Sequence, residues 1–113
     1  MSQQILQVNF RFNISRSEYE NTLAPLLDKF AKLPGCHWKV WLMNESKNEA
    51  GGIYLFVDEE AVANFKMSEL FHTIANHPAL SNFSLKQFDI LKEFSDATHA
   101  PLEKKMVEYY WSN

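Results

Sequence analysis

The chain has 113 residues, of which 46% are hydrophobic and 22% charged, so its length and composition fit one compact globular domain. The formal net charge is -3, and no run of basic residues is longer than Lys104-Lys105. This charge pattern argues against nucleic acid and an anionic membrane as partners.

The N-terminal part predicts a strand followed by a helix. Over residues 5–12 apolar and polar side chains alternate, which is the period of a strand with one apolar face. Ser15 and Glu18 then have the capping-box spacing that opens a helix. Apolar residues at helical spacing continue to the stop signal Pro34-Gly35. Pro25 falls inside this helix, where we expect a kink.

The next part predicts a hairpin made of two strands. Residues 36–42 form the first strand, with Trp38 on one face and Lys39 and Trp41 on the other. A polar, turn-forming stretch follows, and residues 53–57 form the second strand. The loop between the strands is too long for a two-residue turn.

A pair of glycines, Gly51-Gly52, stands at the entry to the second hairpin strand, although the chain has only three glycines. Such a pair suits a bulge, positive φ angles, or a place where a large side chain lies against bare backbone. Trp38 and Trp41 are the candidates for that large neighbour.

The remaining part of the domain predicts a second helix and a fourth strand. Asp58 can cap the helix, which runs towards His77-Pro78 with an interruption near Met67-Ser68. Residues 83–91 contain the strand. The order strand, helix, strand, strand, helix, strand predicts an α+β fold of the ferredoxin-like, split βαβ type, with a four-stranded antiparallel sheet.

The chain divides at about residue 94. Residues 1–94 hold the ferredoxin-like domain, and residues 95–113 predict an extra amphipathic helix at the C-terminus, with Leu102, Met106 and a tyrosine at helical spacing.

Two helices cover only one face of a four-stranded sheet. The alternation leaves a second apolar face exposed on a monomer, and such faces usually mark an interface. We therefore expect a homodimer that packs sheet on sheet with two-fold symmetry. The alternation does not decide which row of side chains lies under the helices.

Metal and cofactor motifs are missing from the sequence. His72 and His77 are five residues apart, which misses the spacing that places two imidazoles on one helical face. The glycine pair opens a strand rather than a helix, unlike a dinucleotide fingerprint. We expect no metal and no cofactor. Cys36 is the only cysteine and the N-terminus lacks signal-peptide features, so we expect a cytoplasmic protein.

The hairpin residues carry a family resemblance. Pro34-Gly35, Trp38-Lys39-Val40-Trp41 and Glu49-Ala50-Gly51-Gly52-Ile53-Tyr54-Leu55-Phe56, followed by Asp58-Glu59, closely resemble the YdhR-type family of small proteins assigned as monooxygenases. The resemblance implies a dimeric α+β barrel, a ferredoxin-like class that also holds cofactor-free oxygenases. It implies a cofactor-independent monooxygenase acting on a small aromatic or quinol-like compound.

The candidate binding residues are those that could border one aromatic pocket. They are Asn9, Trp38, Trp41, Gly52 and Tyr54, with Phe10 and Phe65 as further walls. Lys39 or His37 could stabilise an anion or move a proton. The alternatives are a protein that binds a small apolar ligand without catalysis, and a homodimer whose aromatic residues only fill its core.

Overall fold

The structure, a computed structural model, describes residues 2–103. Its elements are β1 (Gln4–Phe12), α1 (Arg16–Leu23), a 3-10 turn (Ala24–Leu26), α2 (Leu27–Ala31), β2 (Cys36–Asn44), a second 3-10 turn (Glu45–Lys47), β3 (Glu49–Phe56), α3 (Glu59–Lys66), α4 (Glu69–Ala75), β4 (Leu80–Asp89) and α5 (Lys92–Ala97). The strands form one antiparallel sheet in the order β2-β3-β1-β4. This is the predicted ferredoxin-like α+β fold, with β1 and β3 at its centre.

The helix boundaries follow from the capping residues. Ser15 Oγ accepts a hydrogen bond from the Glu18 amide at 3.0 Å, and the Glu18 carboxylate accepts one from the Ser15 amide at 3.0 Å. This confirms the predicted capping box. Pro25 was expected to kink a single helix, and it lies in the 3-10 turn that divides this helical region into α1 and α2.

The second helical region is interrupted where the sequence predicted it. Asp58 caps α3 by accepting from the Ala61 amide at 2.9 Å. The helix ends at Lys66, and Ser68 caps α4 by accepting from the Phe71 amide at 3.1 Å.

Strand β3 is longer than the predicted strand 53–57. It begins at Glu49 because Ala50, Gly51 and Gly52 pair with β1 on one side and with β2 on the other. Backbone pairing on both sides holds small residues of low strand propensity in an extended conformation.

The face of the sheet under the helices, called the first face, carries the core. It combines aromatic and aliphatic side chains from the two central strands with others from the helices. The buried members include Leu6, Val8, Phe10, Phe12, Tyr54, Phe56, Tyr19, Leu23, Phe30, Val62 and Phe65.

A register shift between Cys36 and Trp38 determines which β2 side chains join this core. His37 is the extra residue of the bulge, so the alternation reverses there. Cys36 is buried in the core, whereas Trp38 lies on the opposite face of the sheet, called the second face. Lys39 and Trp41 therefore lie on the first face, under the helices.

One corner of the second face is covered by the chain that follows β4. Trp38 Nε1 donates a hydrogen bond of 2.7 Å to the Pro101 carbonyl, and Gln3 Nε2 donates one of 2.9 Å to the Leu102 carbonyl. Leu102 is buried against this corner, and Leu55 is fully buried. Among residues 2–103, Val40 and Phe88 of the second face remain exposed.

The predicted helical tail is only partly described. Helix α5 begins at Lys92 and ends at Ala97, and residues 101–103 are not helical. Residues 104–113 of the predicted tail lie outside the described residues. Between residues 2 and 103, no helix has the length and apolar character needed to cross a membrane.

Candidate active site

A small cavity lies between the first face and the helices. Its walls are almost entirely aromatic and aliphatic, and one amine projects into it. The lining residues are Val8, Phe10, Tyr19, Leu23, Phe30, Lys39, Trp41, Gly51, Gly52, Tyr54, Phe65, Phe71 and Ile74. The cavity volume of about 10 Å³ is room for roughly one water molecule, because side chains fill the rest of the space.

Lys39 is the side chain that closes this cavity. Its Nζ lies 3.3 Å from the ring centroid of Trp41, 3.7 Å from that of Phe30 and 4.7 Å from that of Tyr54. Three aromatic rings thus surround the amine, an arrangement that attracts a cation through the ring quadrupoles. None of the ion pairs found within residues 2–103 involves Lys39.

Burial without a carboxylate partner changes the ionisation of Lys39. Desolvation lowers the pKa of its amine from 10.5 to about 7, and the nearby Cys36 acts in the opposite direction. Desolvation disfavours the charged form of an amine, while ring faces favour it. The amine therefore exchanges protons near neutral pH, unlike a lysine on the surface.

Two phenols of the cavity are held in their neutral form. Burial raises the pKa of Tyr19 to about 12, and its hydroxyl makes no hydrogen bond with any described residue. Burial also raises the pKa of Tyr54, with smaller contributions from Cys36 and Tyr19. Both hydroxyls can donate a proton to a hydrogen bond with a ligand.

The glycine pair lets Lys39 lie across the floor of the cavity. A Cβ atom on Gly52 would lie 2.5 Å from Lys39 Cε and 3.2 Å from the Val40 carbonyl oxygen. Gly51 has a φ of 156°, and a Cβ there would clash with the backbone of Val8. Strand pairing continues through both glycines, so of the three expected alternatives the bulge does not occur here, whereas a positive φ does occur at Gly51. The large neighbour on bare backbone is Lys39, and neither tryptophan takes this place.

The structure brings together three of the five predicted binding residues. Trp41, Gly52 and Tyr54 line the cavity, with Phe10 and Phe65 as walls. Asn9 and Trp38 do not line it, so the structure does not gather all five candidate residues around this cavity. The reason is strand alternation: Asn9 pairs with Gly51 and points away from Val8 and Phe10, onto the second face.

The two displaced residues have partners of their own. Asn9 accepts a hydrogen bond of 2.8 Å from Gln7 Nε2, and Trp38 is bonded to the chain after α5. The residues that sequence analysis missed are Tyr19 and Phe30. Both come from the first helical region, where helical spacing marks an apolar face without showing which rings meet β2.

A surface groove adjoins the cavity on the side of β2. It is about 320 Å³ in volume and is lined by Leu27, Phe30, Ala31, Cys36, His37, Trp38, Lys39 and Trp41. Lys39, Phe30 and Trp41 border both the groove and the interior cavity. Lys39 therefore stands between a space open to solvent and a closed space lined by phenols. Residues 2–103 contain no group of three or more His, Cys, Asp or Glu side chains that could hold a metal ion.

The fold and the site define a small ferredoxin-like α+β protein with an aromatic cavity between sheet and helices. The sequence profile of the family described as "Putative mono-oxygenase ydhR" matches residues 5–101. The chain belongs to this family. A comparison with curated protein sequences found no significant match.

Solved structures show the same fold at low sequence identity. SnoaB from Streptomyces nogalater, described as a cofactor-independent oxygenase and solved as the mutant N63A, aligns with a TM-score of 0.65 and 18% identity over 80% of this chain and 95% of its own. A "putative antibiotic biosynthesis monooxygenase" from Caulobacter crescentus CB15 aligns with a TM-score of 0.66 and 14% identity over 80% of this chain and 91% of its own. Protein SO0527 from Shewanella oneidensis aligns with a TM-score of 0.65 and 13% identity over 79% of this chain and 91% of its own. At these identities the likeness shows the fold alone.

Proposed function

We propose that the protein is a cofactor-independent monooxygenase that acts on a small phenolic or quinol-like compound. The observation that carries the proposal is the site itself: an amine titrating near neutral pH and two neutral phenols meet in an aromatic cavity. The family of the chain and the description of SnoaB as a cofactor-independent oxygenase support the same reaction.

The proposed reaction needs no added reductant. A phenol and one O2 give a quinone and one water: one oxygen atom enters the ring, and the other leaves with two substrate hydrogens. The substrate supplies all four electrons that reduce O2. The protein has to bind the ring, remove the hydroxyl proton and keep the resulting anion out of water, where it can pass an electron to oxygen.

The binding residues in this proposal are those on the first face. Trp41 and Tyr54 form the aromatic walls, and Gly52 leaves room on the floor. The interior cavity holds about one water molecule, so a ring enters it only if Lys39 moves off its aromatic neighbours. The adjoining groove, at about 320 Å³, has the size at which ligand sites begin. The substrate therefore binds from the groove side.

A homodimer belongs to the proposal. Val40 is 51% exposed and Phe88 48% exposed, and both belong to the second face, where Ile5 pairs with Phe88. Apolar side chains of this exposure on one sheet face favour packing against a second copy of the chain. Sedimentation of the purified protein should show a species of about twice 13.2 kDa at micromolar concentration.

Oxygen consumption tests the reaction. Protein treated with a chelator is mixed with a panel of phenols and quinols, including 1-naphthol, in an oxygen-electrode cell. Substrate-dependent O2 uptake above the rate with heat-denatured protein, with a quinone product and without hydrogen peroxide, supports mono-oxygenation. Peroxide formed in equal amount to the O2 consumed would show an oxidase instead. Label from 18O2 in the quinone shows that the new oxygen comes from O2.

The second candidate is a protein that binds a small apolar ligand without catalysis. The smallness of the closed cavity and the open groove beside it favour this candidate, because surface binding requires no movement of Lys39. Saturable binding of 1-naphthol with no O2 uptake would establish it. If the protein binds no member of the panel, the aromatic residues serve only to pack the core.

A further inference from the structure

We propose that Lys39 Nζ accepts the hydroxyl proton of a phenol bound at the junction of the groove and the cavity. This inference rests on the proposed function, whose catalytic base the sequence left open between Lys39 and His37. In the proton transfer the phenol O–H bond breaks and an N–H bond forms on Lys39. The products are a phenolate and an ammonium, and no electron is transferred in this step.

The position of Lys39 gives the first argument. Its side chain borders both the groove and the cavity, so its amine reaches the place where an entering ring would stop. The aliphatic part of the Lys39 side chain lies against the backbone of Gly52. Because glycine has no Cβ atom, nothing at this position collides with the side chain. Among the described residues this is the amine that lines both spaces.

The surroundings of Lys39 give the second argument. A base becomes more effective when its protonated form is stabilised, and ring faces stabilise an ammonium. The amine already lies 3.3 Å from the Trp41 centroid and 3.7 Å from the Phe30 centroid. The rings therefore offset part of the desolvation that disfavours the ammonium formed when the proton arrives. The phenolate adds a counter-ion that the site otherwise lacks.

The other ionisable groups that face Lys39 are less suited to accept this proton. Tyr19 from α1 and Tyr54 from β3 are neutral phenols with raised pKa values, so they donate rather than accept. Cys36 from β2 is buried, with its Sγ 3.3 Å from the Trp38 carbonyl oxygen. His37 lines the groove and does not line the cavity.

Within the described part of the chain, the remaining elements packed against the amine contribute no ionisable lining residue. Helices α2, α3 and α4 present Phe30, Phe65, Phe71 and Ile74 to the cavity. Proton exchange inside the cavity is therefore assigned to Lys39, with the two tyrosines as hydrogen-bond donors.

The test uses 1-naphthol without oxygen, because its absorbance and fluorescence distinguish the phenol from the phenolate. The protein is titrated under nitrogen at about pH 8, where Lys39 is mainly neutral and free 1-naphthol is mainly protonated. We expect a larger naphtholate fraction in the bound ligand than in free 1-naphthol at the same pH, with fewer than about 0.3 protons released per naphtholate formed. Proton release is measured by calorimetry in two buffers that differ in ionisation enthalpy.

Three variants separate a base from a fixed charge. Lys39→Met should bind 1-naphthol as the neutral phenol. Lys39→Arg keeps a permanent cation over the rings, so it should bind naphtholate and release about one proton per ligand to solvent. Lys47→Met, at an exposed lysine in the turn before β3, should behave as the wild-type protein. Circular dichroism checks that each variant is folded.

The outcomes decide the inference separately from the reaction. Equal naphtholate formation in Lys39→Met and wild type overturns it, as does release of about one proton by the wild type, or failure of the wild type to bind 1-naphthol. Naphtholate formation that depends on Lys39, together with no O2 uptake in air, upholds the role of Lys39 and overturns the mono-oxygenation.

Discussion

The two adjacent glycines of β3 should respond very differently to one added methyl group. At Gly51 the Cβ would clash with the backbone of Val8, and the φ of 156° is one that a side chain disfavours. Backbone strain of about 1–3 kcal/mol and overpacking of about 1–3 kcal/mol give a loss of about 4 kcal/mol for Gly51→Ala. At Gly52 the methyl meets Lys39 Cε, the far part of a flexible side chain. Moving it away from its three rings costs about 1–2 kcal/mol.

Thermal melts and urea unfolding of the two variants measure this difference. At about 4 °C per kcal/mol for a domain of this size, Gly51→Ala should lower the Tm by about 16 °C and Gly52→Ala by about 4–8 °C. Gly52→Ala should also raise the pKa of Lys39, because the displaced amine is better hydrated. Equal losses in the two variants, or a Gly51→Ala protein within about 2 °C of wild type, would refute this account of the glycine pair.

Two further predictions concern the helix start and the second face. Ser15→Ala removes the acceptor for the Glu18 amide and should lower the free energy of unfolding by about 1 kcal/mol in urea titrations, and an unchanged value would show that solvent replaces the cap. Val40→Asp places a charge on the exposed second face and should convert the proposed dimer to a folded monomer in sedimentation. Val57→Asp, at a similarly exposed valine after β3, is the control that should remain dimeric, and a dimeric Val40→Asp protein would place the interface elsewhere.

The fold could be predicted because its boundaries depend on local chemistry. The capping box at Ser15 and Glu18 and the 3-10 turn at Pro25 are decided by residues within one helical turn of each other. The helical break at Ser68 is of the same kind. Only a few topologies are compatible with this order of elements, and the ferredoxin-like topology was the one predicted among them.

The site could be predicted only in part, because it depends on which face of the sheet each strand residue points to. The bulge at His37 reverses the alternation of β2, and nothing local in the sequence marks it. It sends Trp38 to the second face while the neighbouring Lys39 and Trp41 lie on the first face, where Trp41 is still 37% exposed. A lysine in a strand is ordinarily expected to reach solvent, so its enclosure by three rings became visible only in the assembled fold.

The ionisation of Lys39 leads to a last prediction, about stability and pH. The pKa of the amine is about 7 in the folded protein and 10.5 in its ordinary state. Between these values the unfolded chain binds more protons than the folded one, so stability rises with pH from about 7 to about 10.5. Below about pH 7 both states are charged, and the folded state carries the full penalty of a buried ammonium. The tyrosines do not interfere below about pH 10, because both states keep neutral phenols there.

Comparison of wild type with Lys39→Met isolates this contribution, because every other titrating group is common to both. From pH 7 to about pH 9.5 the shift corresponds to roughly 3 kcal/mol, and attraction by the rings reduces the expected gain to about 2 kcal/mol. Urea unfolding at the two pH values should show that the free energy of unfolding rises by this much more in the wild type than in Lys39→Met. Lys47→Met should follow the wild type, because that exposed amine has no burial to relieve. A pH-independent difference between wild type and Lys39→Met would mean that the folded protein keeps Lys39 charged throughout, and Lys39 could then serve as a fixed cation but not as the base.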